Sequence, residues 1–593
     1  MLAHEKDHAT AGEPCNAYEF IQGHKYRWKI KTVEPALVRS LAYTHSLSLP
    51  IAHTLVTRGM IDDASIRSFL LSSYEHNVPH AGLLHDSTTA VTRIIRAIKN
   101  REKILIFGDY DVDGITAVSL TLTALIPLDA RINFFLPNRE KDGYGLSASA
   151  VEQAFKNGYS LIITVDNGIT AFQAAQTAQK RGIDLIITDH HRPHETLPPA
   201  IAIIDPHRTE CSYPFKELAG VGVVFKLISL IYEQLGIKRL PEKVYELLML
   251  GTIADVVPLI GENRFWVRHG LNLINQNKSN AISVLATNAS LSKETFDSLD
   301  IGFFMAPQVN ALGRLSDPRD AVKFMISSDM DEVERIGAIL KTMNEERKRV
   351  EQGIYKEIEL AIGHRQIDLD QEYLITACSS EWPSGVIGLV AGKLAHNYGR
   401  PTFLFHIDSN KDIAKGSCRS IPEFNIFDAL TTCSDLLIQF GGHACAAGLK
   451  LKHSNLPALK ERLSTAIASQ FTLQDLRPGL TLDAPLILPE ASLKCVSDLE
   501  QMEPFGNQNP QPLFLIKNVT LLKQPQVLKE KHVKCMIFAD GIVKPVIFFN
   551  RPDIYEPLQN LGDKPFHLAA HIIKNEWGGS TRIELQGMDI AFL

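Results

Sequence analysis

The chain has 593 residues, beyond the roughly 250–300 at which a single core stops growing, so several domains are expected. Its composition, 45% hydrophobic and 22% charged with 37 Gly and 30 Pro, excludes wholesale disorder, a collagen and a coiled-coil rod. Lys and Arg number 61 against 67 Asp and Glu, a net charge of −6, which argues against a generally basic coat but leaves room for a local basic groove.

No apolar stretch approaches the roughly 18–20 residues of a spanning helix, so no membrane association is expected. Residues 1–30 lack a basic start followed by an apolar core, the mark of a secretory signal, and a cytoplasmic protein is expected. The eight cysteines form no C-x-x-C pair, which disfavours a zinc knuckle or redox motif.

In chain order, Met1 to about Ala17 reads as a loose leader, and Val33 to Leu71 as short helices with apolar positions three or four apart. Then come five short apolar runs: KILIFG (103–108), RINFFLP (131–137), SLIITV (160–165), DLIIT (184–188) and AIAIID (200–205). Helical segments at Gly114–Leu125, Ser147–Phe155 and Ala171–Arg181 lie between them, which predicts a parallel sheet covered on both faces, a doubly wound α/β domain. Residues 331–362 keep helical spacing of apolar positions and predict a long amphipathic connecting helix. EYLITAC (372–378) and PTFLFHI (401–407), flanking a helix-like 384–399, predict a second α/β domain. The last stretch holds five strand-like runs that suit a small barrel. The expected divisions are 1–71 (leader and helices), 72–330, 331–365 (helix), 366–475 and 476–593.

Three acidic loops follow strands of the first sheet: Asp109-Tyr110-Asp111-Val112-Asp113-Gly114, Asp166-Asn167-Gly168 and Asp189-His190-His191. In an open parallel sheet, ligands bind at the carboxyl ends of the strands, so these loops should converge. One such loop is ordinary turn chemistry; three on one edge gather carboxylates that would repel each other and take up protons unless cations neutralise them. Oxygen-rich ligation with imidazole suits Mn²⁺ or Mg²⁺, Mn²⁺ being favoured by the histidine. Two such ions about 3.5–4 Å apart are a common engine for cutting phosphate esters.

With these residues in hand, the chain resembles the DHH phosphoesterase superfamily and, within it, the RecJ family of single-strand-specific exonucleases. GDYDVDGITA (108–117), VDNG (165–168), TDHH (188–191), LAGVGV (218–223), ADVVPL (254–259), NALGRL (310–315), SGVIGLVAGKL (384–394), KGSCRSI (415–421) and GGHACAAG (441–448) occur in the family's order and span most of the chain. The resemblance implies a DHH catalytic domain, a DHH-associated substrate-binding domain and an oligonucleotide-binding (OB) barrel. It makes Asp111, Asp113, Asp166, His190 and Asp255 the metal ligands, with Asp166 bridging two ions. His191 falls to the scissile phosphate, while Asp109 and Asp189 are expected to orient the ligands. One departure concerns the first ion: many superfamily members carry His where this chain has Phe107.

The resemblance further implies a phosphate clamp of Lys415, Ser417 and Arg419, with Gly416 allowing close backbone approach, joined by Arg314 and His443. In the barrel region, residues 514–551 carry seven Lys or Arg against two acids, and Lys529, Lys531 and Lys534 are candidate DNA contacts. Of Phe548 and Phe549, one is expected in the core and one available for stacking. The expected activity is 5′-to-3′ digestion of single-stranded DNA to 5′-mononucleotides, in recombination and repair, by a monomer working with a helicase and a single-strand-binding protein. A phosphodiesterase for short oligonucleotides or cyclic dinucleotides, and an inactive DNA-binding scaffold, remain as alternatives.

Overall fold

The computed structural model describes residues 18–137, 145–315, 319–577 and 580–593; the leader expected at residues 1–17 lies outside them. The described chain begins with a hairpin, β1 (Tyr18–Gln22) and β2 (Arg27–Lys31), which the sequence reading did not anticipate. Along β2, Arg27, Lys29 and Lys31 alternate with Trp28 and Ile30, and the two apolar side chains are buried. The short helices expected next are Pro35–Thr44, Leu49–Thr57 and Asp63–Leu71.

All five expected apolar runs are strands: β3 (Ile104–Gly108), β4 (Ile132–Phe135), β5 (Leu161–Val165), β6 (Asp184–Thr188) and β7 (Ala202–Ile204). They form one parallel sheet in the order β4-β3-β5-β6-β7. Successive side chains of a strand face opposite sides, so β3 feeds two cores. Ile104 and Ile106 join helices Val112–Leu125 and Gly220–Gln234, while Leu105 and Phe107 join helices Ala148–Lys156 and Phe172–Arg181. Covering on both faces is why these strands are apolar throughout.

The connecting helix runs from Met330 to Gly363, 34 residues and therefore about 50 Å. Val333, Ile336 and Leu340 are built into the core of the first α/β domain, and Ile354 and Ile358 into that of the next. One rigid element is thus anchored at both ends. The second sheet contains β8 (Ile375–Ser379), β9 (Thr402–Asp408), β10 (Ile413–Arg419), β11 (Leu437–Gly442) and β12 (Ala446–Lys452), in the order β11-β12-β10-β9-β8. Only β8 and β9 pair in parallel, crossing over through helix Ile387–Tyr398.

β13 (Gly479–Leu482) returns to pair with β2, and β14 (Ala484–Pro485) opens the terminal domain. Its five long strands, β15 (Phe514–Leu528), β16 (His532–Ala539), β17 (Ile542–Phe548), β18 (Phe566–Trp577) and β19 (Ser580–Phe592), close into a barrel through the β15–β18 pairing. The N-terminal helices belong with this barrel: Val38, Leu41, Ile51, Leu55 and Ile66 share its core with Phe514, Val533 and Phe548. Asp589 of β19 fastens the hairpin by accepting from the Lys25 and Tyr26 amides and from Trp28 Nε1. Among the described residues, no helix is long and apolar enough to cross a membrane.

Candidate metal centre and strand-binding cleft

The acidic loops meet at the carboxyl edge of the first sheet, as the topology requires. Asp111 caps helix Val112–Leu125, accepting from the Gly114 amide at 3.1 Å. Asp113, two residues on and buried, accepts from the amides of Gly220 (2.6 Å) and Val221 (2.8 Å) at the start of helix Gly220–Gln234. Two helix N-termini therefore point their positive ends at this cluster. That contact gives the LAGVGV segment its purpose, and Gly220 is required by space: a Cβ there would lie 2.5 Å from Asp166 Cβ.

Asp166 follows β5 in the left-handed region, with φ +62°, and is buried. Its Oδ1 accepts no hydrogen bond and lies 3.2 Å from His190 Nε2. The same imidazole nitrogen stands 3.7 Å from Asp255 Oδ2 and 3.8 Å from Asp113 Oδ2. Asp255 is the C-cap of helix Lys243–Ala254. Asp189, fully buried, accepts from the amides of Ile169, His190 and His191, and its Oδ1 is 2.7 Å from His191 Nδ1.

Three groups have ligand atoms close enough to share an ion: Asp109, Asp111 and Asp166; Asp113, His190 and Asp255; and Asp166, His190 and His191. Asp166 and His190 each belong to two of these groups. Asp109, expected to orient ligands, thus stands inside a group able to hold one. The Phe107 ring is buried against Phe135, with 5.4 Å between centroids, so that position adds no nitrogen and leaves the Asp109, Asp111 and Asp166 pocket all oxygen. The Phe107 carbonyl instead accepts from Asn167 Nδ2 at 3.2 Å.

Without a cation the cluster holds protons. Burial, reinforced by the neighbouring Asp111 carboxylate, pushes Asp113 up to about 7, and burial with mutual repulsion holds Asp109, Asp166 and Asp255 well above the usual carboxylate range. Burial and the adjacent His191 charge push His190 down to about 4, so it presents a neutral imidazole, the form that ligates metals. Burial works against a charged His191, but the Asp189 hydrogen bond and surrounding carboxylates outweigh it and raise its pKa to about 9. Burial opposes ionisation of Asp189 as well, and the two histidines overcome it, keeping the carboxyl below its ordinary value. Orphaned Asp166 Oδ1, repelling acids and a neutral imidazole suit divalent cations.

Asp205, after β7, escaped the sequence reading. It is buried, and burial with the nearby Asp189 charge pushes it up to about 8. Its signal was its place at the end of the fifth strand, on the same edge.

In the second domain, Lys415, Ser417 and Arg419 alternate along β10 and share one face. Helix Ile387–Tyr398 crosses that face at Gly388, where a Cβ would sit 2.7 Å from Ser417 Oγ. Gly416 faces the other way, and a Cβ there would fall 2.5 Å from the Phe405 ring, so internal packing explains this glycine. His443 is exposed in the β11–β12 turn, its amide bonded to Ala446, the residue that pairs with Arg419. Arg314 lies in helix Ala306–Leu315, its side chain outside the described residues.

A cavity of about 1050 Å³ opens beside the centre, bounded by Val112 and Val256 of the catalytic domain, Arg347 of the long helix, Leu389 of the second domain and Phe505 and His571 of the barrel domain. Phe303, 69% exposed, and Leu299 give it an apolar flank. On the barrel, Lys529 and Lys531 are exposed at the β15–β16 turn and Lys534 is half-buried in β16. Lys544 and Arg551 are engaged internally, with the Ala491 carbonyl and Asp553. Phe548 is core and Phe549 exposed, packed edge-on to His532.

Three family models match: the DHH family N-terminal domain at residues 103–252, the DHHA1 domain at 370–469 and the RecJ OB domain at 482–589. The single-stranded-DNA-specific exonuclease RecJ of Bacillus subtilis is 35% identical over 569 residues, 96% of this chain and 71% of that protein. This chain belongs to the RecJ family. Thermus thermophilus RecJ in complex with Mn²⁺ superimposes with a TM-score of 0.79 at 26% identity, covering 95% of this chain and 79% of that one. The Mg²⁺ complex gives 0.73 at 24%, covering 96% and 78%. Metal-bound RecJ structures and the acidic, histidine-bearing groups of this chain agree on a divalent-cation enzyme.

Proposed function

We propose that this chain is a single-stranded-DNA-specific exonuclease that digests from the 5′ end to 5′-mononucleotides in recombination and repair. The observation that carries this reading is two adjoining ligand groups that share Asp166, beside a cleft lined from all three domains, where Val112 and Val256 are chain neighbours of the acids. Asp113, His190 and Asp255 would hold one ion and Asp109, Asp111 and Asp166 the other, with Asp166, which also groups with His190 and His191, as the carboxylate common to both. When bound, the ions supply Lewis acidity and a more acidic water nucleophile.

The chain's own groups do the rest. Asp189 fixes the His191 ring, and the charged imidazolium steadies the scissile phosphate and delivers its proton to the departing 3′ oxygen. Lys415, Ser417, Arg419, Arg314 and His443 hold the terminal 5′ phosphate, which sets the first internucleotide bond over the centre, so products leave as single nucleotides. Lys529, Lys531 and Lys534 draw the strand along the barrel. A barrel and a cleft of this size favour a long strand over a cyclic dinucleotide. The protein works as a cytoplasmic monomer, alongside a helicase and a single-strand-binding protein that expose and present its substrate.

The test is digestion of 5′- and 3′-labelled single strands and of duplex with Mn²⁺. Immediate release of labelled mononucleotide from the 5′ label alone, with duplex spared, is expected. Early release from the 3′ label, or equal attack on duplex, contradicts the reading.

A further inference from the structure

The residue after Asp255 is strained. Helix Lys243–Ala254 ends with Asp255 as C-cap, and Val256 then adopts φ +62°. Glycine or asparagine normally takes such a position, and a β-branched residue persists there only when its surroundings hold it. Val256 is 64% exposed, so burial in a core does not hold it.

The restraint comes from elsewhere in the chain. Asn507 Nδ2 donates to the Val256 carbonyl at 2.7 Å, and the Leu259 amide donates to the Asn507 carbonyl at 2.8 Å. The acceptor is a carbonyl, so the amide nitrogen must face it and the side-chain orientation is fixed. Gly506 is pressed on Leu259, where a Cβ would sit 2.6 Å from Leu259 Cδ1, and Ser298 Oγ donates to the Phe505 carbonyl at 2.6 Å. The bracketing segment is itself braced: Asn509 Nδ2 donates to the Met502 and Pro504 carbonyls, and Arg58 donates to Asn509 Oδ1. It lies between helix Leu493–Gln501 and β15, outside the catalytic domain.

We infer that Asn507 is a positioning residue for Asp255, gripping residues 256–259 from both ends so that the connector into the barrel fixes the direction of the Asp255 carboxylate. The inference rests on Asp255 being a metal ligand. Without the grip, Val256 relaxes towards negative φ and Asp255 turns away from His190.

The test is Mn²⁺ binding to the full-length protein, by calorimetry and by electron paramagnetic resonance of free Mn²⁺. It compares wild type, Asn507→Ala, Asp255→Asn, the neighbouring exposed Gln508→Ser, and Asn507→Ala combined with Val256→Gly. Asn507→Ala is expected to weaken one Mn²⁺ site about 10–100-fold, as loss of a ligand's support does, with the melting temperature of the metal-free protein retained. Gln508→Ser is expected to bind as wild type. Val256→Gly, which adopts positive φ without strain, is expected to recover part of the loss. Wild-type Mn²⁺ binding by Asn507→Ala, with Asp255→Asn weakened, overturns the inference while leaving the ligand assignment intact. Undiminished binding by Asp255→Asn overturns that assignment and the inference with it. A loss that follows a lowered metal-free melting temperature and is not recovered by Val256→Gly also overturns it.

Discussion

Gly220 stands so close to Asp166 that a Cβ added to it would lie 2.6 Å from Asp166 Oδ1. The Gly220 amide meanwhile holds Asp113 Oδ2 at 2.6 Å. Gly220→Ala should therefore displace two carboxylates at once. A misplacement of about 1 Å can cost roughly 100-fold in rate, and a loss of that size in kcat is expected, with single-strand affinity kept. Steady-state kinetics in saturating Mn²⁺ check it, and a loss under threefold would show that the centre tolerates the shift.

The pH dependence follows from the raised carboxylates. Asp113 at about 7, with Asp109, Asp166 and Asp255 well above their ordinary values, binds protons in the metal-free fold that the unfolded chain has released. Their stabilising contribution is full below the unfolded carboxylate range and is lost as pH rises through the raised values. His191, raised to about 9, has the same sign, and His190, lowered to about 4, opposes folding only where the unfolded imidazole is protonated. Between about pH 6.5 and 8.5 the melting temperature of metal-free protein should fall and the increment from Mg²⁺ should grow. Melting curves of wild type and Asp113→Asn decide: the variant should show the shallower slope, and equal slopes contradict the assignment.

His191 and His190 should separate cleanly. His191 is charged and tied to Asp189, whereas His190 is neutral and faces three carboxylates. His191→Asn is expected to lower kcat about 10²–10⁴-fold, the usual worth of a positioned acid, with Mn²⁺ affinity nearly unchanged. His190→Asn should weaken Mn²⁺ binding itself. Calorimetry beside single-turnover rates distinguishes them, and equal loss of metal in both variants would merge the two roles.

The barrel is best tested by charge. Removing it would strip the core from Val38, Leu41 and Ile51, so a deletion confounds DNA binding with unfolding. Replacing Lys529, Lys531 and Lys534 by Gln should weaken single-strand binding and reduce the slope of log K against log salt by up to about 2, at roughly 0.7 per phosphate contact. Fluorescence anisotropy across a salt series measures it, and an unchanged slope places the strand elsewhere.

Much of the site was legible because parallel strands are short, apolar and end where ligands bind. KILIFG, SLIITV and DLIIT each lead into an acid: Asp109 and Asp166 share a ligand group, and Asp189 holds the His191 ring beside it. The hairpin at 18–31 was not legible, although RWKIK alternates, because five residues give a weak signal and the partner of Trp28 is Asp589, 561 positions away. Nor could sequence assign the N-terminal helices to the barrel core, a contact between chain ends. Gly416 was read for a ligand and serves Phe405, since the face of a strand residue depends on register. Register likewise decided that Phe548 went inward and Phe549 outward. Asp109 belongs to a ligand group because the loop turns it towards Asp166, which spacing alone does not fix.

The proposed centre holds two ions that share Asp166. Its most direct measurement is the number of Mn²⁺ ions bound per chain, by calorimetry on wild type and on Asp166→Asn, the replacement best suited to φ +62°. Two ions in the wild type and loss of both sites in the variant are predicted. A variant that still binds one ion with wild-type affinity would contradict a shared carboxylate.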